Sequence, residues 1–243
     1  MNVHTRSWVM SEQGARMTQN LHHEYLQAMG VQCWVVRDKA GVNTGNSLPE
    51  PAIEGAGPVV HDWLTLEEQV SSCKKCRLHE SRTQTVFGTG NRDADWLIIG
   101  EAPGAEEDRQ GEPFVGRAGK LLDEMLFATG LQRADVYIAN ILKCRPPANR
   151  DPAPDEVACC HDYLQQQIAL IQPQLILAVG RVAAHNLLQT DDQLGRLRGK
   201  VHHYGDTSIP VIVTYHPSYL LRSPLEKRKV WSDLQFAKAI IKQ

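Results

Sequence analysis

Four short apolar runs constrain this chain most: "WLIIG" ending at Gly100, "VYIANI" from Val136, "LILAVG" ending at Gly180 and "VIVTYH" ending at His216. Each is rich in β-branched residues and nearly continuous rather than alternating, the pattern of a strand covered on both faces in a parallel sheet. Helical apolar spacing fills the intervals: Gly116 to Thr129, Pro154 to Ile171, Arg181 to Gln189, and about Leu225 to Ile241. The first of these sets Leu121, Leu122, Met125 and Leu126 on one face and stops at Gly130. The second opens at Pro154 with Asp155 and Glu156 in its first turn, where carboxylates suit the helix dipole. Strands alternating with helices define the α/β class, here a three-layer αβα domain around a central four-stranded parallel sheet.

A length of 243 residues with 42% apolar content allows one substantial core and a short N-terminal appendage. Residues 41–60 hold four Gly and three Pro with little periodicity and read as a flexible linker, dividing the chain into 1–60 and 61–243. Ahead of the linker, "LHHEYLQAMG" has helical spacing at Leu21, Tyr25, Leu26 and Met29, and "VQCWVVR" reads as a short strand. Met17 is an alternative start, because residues 1–16 carry no structural pattern. There is no signal-peptide run and nothing near the roughly 18 apolar residues of a membrane span, so a cytoplasmic chain with no membrane partner is expected. A formal charge of −2 and a pI near 6.5 argue against a globally basic nucleic-acid binder and leave only local patches for such a role.

In an open parallel sheet, ligands bind outside the carboxyl ends of the strands. Three of those ends carry a distinctive residue: Glu101 after the first run, Asn140 in the second and His216 after the fourth. The loop after the first run, "GEAPGAEEDRQGEPFVG", has the glycine turn of a phosphate cradle, yet its Glu101, Glu106, Glu107, Asp108 and Glu112 would repel phosphate. No Lys follows the turn as in G-x-x-x-x-G-K-[ST], which disfavours a nucleotide-phosphate hydrolase. An Asn side chain pairs one donor and one acceptor, matching the carbonyl beside N–H that uracil presents at O4 and N3; cytosine presents the reverse. Phe114 can stack on a planar ligand, and His216, followed by Pro217, can donate a hydrogen bond to charge developing on a leaving group. Basic stretches "RLRGKVHH" and "RSPLEKRK" can grip a phosphodiester backbone together with Ser218.

The six cysteines include "CKKC" at Cys73 and Cys76, then Cys144, Cys159 and Cys160. In a reducing compartment a C-x2-C pair with two further cysteines points to a metal or cluster, whereas Cys33 reads as a buried free thiol. Zinc and a [4Fe-4S] cluster both accept four thiolates, and spacing does not choose between Cys159 and Cys160.

From about Leu66 to its C-terminus the chain resembles the family 4, iron–sulfur type uracil-DNA glycosylases. The resemblance rests on "CKKCRLHESRTQTVFGTG", "GEAPGAEEDRQGEPFVGRAGKLLDEML", "VYIANILKCRPPANRDPAPDE", "LAVGRVAA", "LRGK" and "HPSYLLRSP". It implies a [4Fe-4S] cluster on Cys73, Cys76, Cys144 and Cys160, with Cys159 extra. It also implies a substrate loop of Gly100, Glu101, Ala102, Pro103 and Gly104, with Phe114 stacking on flipped uracil, Asn140 reading its edge and His216 near its O2. Ser218 and the "YLLR" segment look like the loop that meets the DNA backbone and pushes into the duplex, and the two basic stretches add Arg198, Lys200 and Arg222 as expected backbone contacts. Glu101 either positions water or fills the space beside uracil C5. A relative that crosslinks to DNA has a basic, His-containing insertion after the second strand; "KCRPPANRDPAP" has none, which favours a turnover enzyme. The expectation is thus a monomeric hydrolase that acts on uracil in single- or double-stranded DNA. The rival is a non-catalytic iron–sulfur module that binds damaged or single-stranded DNA.

Overall fold

The structure is a computed structural model and describes residues 62–241. The expected N-terminal helix and strand, the linker and Cys33 lie outside those residues.

Helices α1 (Trp63–Ser71) and α2 (Leu78–Ser81) precede the sheet. Then follow β1 (Thr89–Gly90), β2 (Trp96–Gly100), α3 (Ala105–Gln110), α4 (Arg117–Thr129), β3 (Tyr137–Asn140), α5 (Pro154–Ile171), β4 (Leu175–Val179) and α6 (Arg181–Leu188). The chain closes with α7 (Leu194–Leu197), β5 (His202–His203), β6 (Pro210–Thr214), α8 (Pro217–Arg222) and α9 (Lys227–Ile241). The four expected strands form the parallel centre of a six-stranded sheet ordered β1-β3-β2-β4-β6-β5. The two outer strands, each only two residues long, pair antiparallel on β3 and β6. Two residues carry no readable periodicity, so these edges left no mark in the sequence.

The continuous apolar runs are explained by the layers. Leu97, Ile99, Ile176, Ala178, Val211 and Val213 pack under Leu164, Ile168 and Ile171 of α5 and Ala183, Ala184 and Leu187 of α6. The alternate residues Ile98, Ile138, Leu175, Leu177, Val179 and Ile212 pack under Leu122, Met125 and Leu126 of α4 and Val230, Leu234 and Ala237 of α9. Each fully buried aliphatic side chain contributes about 1.5–3 kcal/mol from desolvation. The long helices hold the termini expected of them: Gly130 turns left-handed (φ 85) after α4, and Glu156 caps α5 by accepting the Ala153 N–H at 2.9 Å. Helix α9 begins at Lys227, after a 3₁₀ turn over Pro224–Glu226.

Register then sets the site. Gly100 pairs with Asn140, and Val179 with Thr214. The ladder continues past the strands, as Ile141 N–H donates to Gly100 O (3.0 Å), Leu142 N–H to Glu101 O (3.1 Å) and Gly180 N–H to Thr214 O (2.9 Å).

Candidate active site

A cleft of about 470 Å³ opens at the carboxyl ends of the parallel strands, bringing together Glu101, Ala102, Phe114, Asn140, His216 and Ser218. Gly100 lies beneath it: a Cβ there would stand 2.5 Å from Asn140 Oδ1 and 2.6 Å from the Phe114 ring. The strand therefore ends in glycine because two site side chains occupy the space a Cβ needs.

The acidic loop does not face a ligand with its full charge. Glu107 accepts the backbone N–H groups of Gly104, Val115 and Gly116, each at 3.1 Å, and so ties the start of the loop to its end. Asp108 is buried and accepts the Thr83 N–H at 2.9 Å, while Glu106 pairs with Arg109 on the surface at 2.7 Å. These carboxylates shape the turn. Phe114 sits at φ 54, a conformation few non-glycine residues adopt. Arg133 holds it there by donating to the carbonyls of Phe114 (3.2 Å) and Pro113. Gly119 makes room, since a Cβ would come within 1.7 Å of the Phe114 carbonyl oxygen. The Phe114 ring then lies 5.5 Å from that of His216, at 30°.

Asn140 is 2% exposed and its Oδ1 has no hydrogen-bond partner. An unmatched buried acceptor costs about 1–3 kcal/mol, and this one belongs to a residue that lines the cleft. His216 caps α8: the Ser218 N–H donates to Nδ1 at 3.1 Å, with Ser218 Oγ 2.8 Å from the same nitrogen. A backbone N–H can only donate, so Nδ1 is the acceptor and the neutral ring carries its proton on Nε2. Burial, assisted by Arg222 and opposed by Glu107, pulls the imidazole down to about 4. Ring and tautomer together leave a neutral Nε2–H donor at pH 7. Glu101 is partly buried, and burial followed by the nearby Asp151 raises its carboxyl above the usual range, against the pull of Arg181.

The rim carries Arg150, Arg181 and Arg222. Arg198, expected at the DNA backbone, is engaged elsewhere: it holds Asp233 at 2.8 and 2.9 Å with a side chain 12% exposed, and stacks over Tyr215. Lys200 is exposed and does not line the cleft. The "YLLR" segment is divided, with Leu220 fully buried in the core and Leu221 39% exposed.

A second, small pocket of about 10 Å³ is walled by Cys73, Cys76, Cys144 and Cys160, with Cys159 also on its wall. Arg82 ties two of these segments, donating to Cys144 Sγ and Cys73 O, each at 2.9 Å. Cys160 and Cys144 are buried, whereas Cys159 is partly exposed and reaches the Lys75 carbonyl at 3.4 Å. Burial raises Cys76 and Cys144 and pushes Cys160 up to about 12. Among the described residues, no group of three or more His, Cys, Asp or Glu is arranged to hold a single metal ion. The roles of Glu107, Arg133, Gly119 and Arg82 escaped the sequence reading, because contacts to backbone within an irregular loop, or contacts across 19 or 62 residues for Arg133 and Arg82, leave no periodic pattern.

The family model of the uracil DNA glycosylase superfamily matches residues 87–235, which span the sheet and the cleft at its strand ends. A type-4 uracil-DNA glycosylase of Archaeoglobus fulgidus is 46% identical over 173 residues, covering 69% of this chain and 87% of that protein. Those of Thermotoga maritima (44% over 182 residues; 73% and 94%) and Pyrobaculum aerophilum (41% over 179; 71% and 91%) are similar. The chain belongs to the uracil DNA glycosylase superfamily, in its type-4 family. Among the described residues no helix is long and apolar enough to cross a membrane.

Proposed function

We propose that this chain excises uracil from DNA by hydrolysing its N-glycosidic bond, and that Asn140, Phe114, His216 and Glu101 do the chemistry. The observation that carries this reading is the unpartnered Oδ1 of Asn140 on the cleft wall. The target nucleotide is flipped out of the stack. Phe114 covers the face of the base, Asn140 Oδ1 accepts from N3–H, and its amide donates to O4. Cytosine mismatches both contacts at about 1–3 kcal/mol each. The bond from C1′ to N1 breaks with oxocarbenium character, its electron pair leaving on uracil. His216 Nε2–H donates to the uracil O2 as charge gathers there, and a neutral donor suits this because no proton need be moved. Water bonds to C1′ and yields its proton to Glu101, whose raised carboxyl is suited to a base. That proton passes through solvent to the uracil anion, so free uracil and an abasic site result and Glu101 is restored. Arg222, Lys200 and Ser218 are assigned to the phosphates of the DNA, single- or double-stranded, with the protein acting as a monomer.

The four thiols of Cys73, Cys76, Cys144 and Cys160 fit a [4Fe-4S] cluster. They line one pocket, and the guanidinium of Arg82 on its wall offsets the negative charge of a thiolate-bound cluster. When bound, the cluster supplies four iron–sulfur bonds that fasten the 73–76 segment to the 144–160 connection. Purified aerobically, the protein is expected to be brown, and colourless protein with stoichiometric zinc would overturn the assignment.

The functional test is a labelled single-stranded oligonucleotide with one uracil. Alkali should cleave it at that position after incubation with the protein. Binding without alkali-labile sites would replace the enzyme by a non-catalytic DNA-binding module. Glu101→Gln keeps the size of the side chain: a turnover loss of at least about tenfold supports the base role, and full activity would leave only a space-filling role.

A further inference from the structure

Lys143 is the most deeply buried cation among the described residues, 1% exposed, and its ammonium meets no carboxylate. Burial draws its amine down to about 7, and whether charged or neutral its hydrogens need good acceptors in that position. It has two: Nζ donates to the Asn140 carbonyl at 3.0 Å and to Gln167 Oε1 at 2.6 Å. Gln167 is fully buried in turn, and its amide donates to the Phe87 carbonyl at 3.0 Å, so the acceptor facing Lys143 is held in place from behind. The backbone of Lys143 is fixed as well. Its carbonyl accepts the Val86 N–H at 2.8 Å. The next residue, Cys144, is itself on the cysteine cavity that Lys143 also lines.

Asn140 is the last residue of β3; the N–H that follows it, of Ile141, is held by the Gly100 carbonyl at 3.0 Å, and its own carbonyl is held by Lys143 Nζ. A shift there would swing Oδ1, which makes no hydrogen bond of its own in the protein. We infer that Lys143 is a positioning residue that locks the Asn140 backbone to the four-cysteine centre, so that base recognition depends on a contact no substrate touches. This rests on the uracil-excision reading above. A lysine that merely filled the core would stabilise the fold without acting through Asn140.

The test is a double-mutant cycle on the cluster-loaded protein with Lys143→Met, which keeps the stem and removes the donors, and Asn140→Ala. Two quantities are read: kcat/KM on a uracil oligonucleotide, and affinity for one carrying 2′-fluoro-2′-deoxyuridine, which resists cleavage. Visible absorbance and iron per chain are followed alongside. Lys143→Met should lose at least about tenfold in both while keeping its iron, and the double variant should be no worse than Asn140→Ala alone. Additive losses, or a Lys143→Met protein as active as wild type, would overturn the inference. If Lys143→Met does not fold or does not keep iron, Gln167→Leu takes its place in the same cycle: a non-additive loss supports the inference, and an additive loss or full activity overturns it. A wild-type protein that releases no uracil would sink the functional reading and this inference with it, whereas a competent wild type with an additive pair sinks this inference alone.

Discussion

Asn140, Phe114 and His216 reach the cleft by three different backbone devices: a strand end, a left-handed turn and a helix cap. Asn140 and His216 were legible as residues at strand ends because each closes an apolar run, and Phe114 as an aromatic within the acidic loop, but their states were not. That His216 donates from Nε2 follows only from the Ser218 N–H on Nδ1. Removing the reader, in Asn140→Ala, should lower kcat/KM for uracil on the order of ten- to hundredfold at unchanged thermal stability, since one or two hydrogen bonds of about 1–3 kcal/mol vanish. For His216 the folded pKa of about 4 lies below the ordinary 6.5. The unfolded chain therefore takes up a proton that the fold refuses. Its contribution to stability is whole above pH 6.5 and is lost as pH falls towards 4, by about 3 kcal/mol in all. Turnover should likewise stay level from pH 8 to 6. A pH–rate profile with a midpoint near 6.5 that vanished in His216→Leu would contradict a neutral donor.

At the scale of elements, the long pieces were readable and the short ones were not. Helix α5 spans Pro154–Ile171 as the periodicity indicates, because its proline start and acidic first turn are local signals. Helix α3 hid inside a loop read as acidic, since six residues give too few turns for a periodicity. Arg198 illustrates a different limit: a basic run looks the same whether its arginine meets DNA or a buried aspartate. Arg198→Met should strand Asp233, cost about 3 kcal/mol and lower the Tm by roughly 6–12 °C in calorimetry, with little change in salt dependence of DNA binding. Arg222→Ala should do the converse, weakening binding across sequences and reducing the slope of log K against log salt by about one. Gly119→Ala should release the Phe114 turn, because the new methyl collides with a carbonyl rather than with a movable side-chain end.

For the whole molecule, a net charge of −2 gave no hint of DNA; three arginines border the cleft, of which Arg150 pairs with Glu156 and Arg181 with Asp151, whereas Arg222 makes no ion pair among the described residues. The order of strands along the sheet was not readable, because it depends on crossovers between distant segments, yet it is what sets Gly100 beside Asn140 and Val179 beside Thr214. The cysteine spacing announced a centre, and only the fold joined Cys73 and Cys76 to Cys144 and Cys160 on one wall. The central claim is that this cleft recognises uracil and cuts it from the sugar. The most direct measurement is the time course of free base released from three oligonucleotides identical except for uracil, cytosine or thymine at one position. The account predicts uracil appearing in step with abasic sites, and neither of the other bases. Release of cytosine or thymine at a comparable rate, or no free base from any of the three, would contradict it.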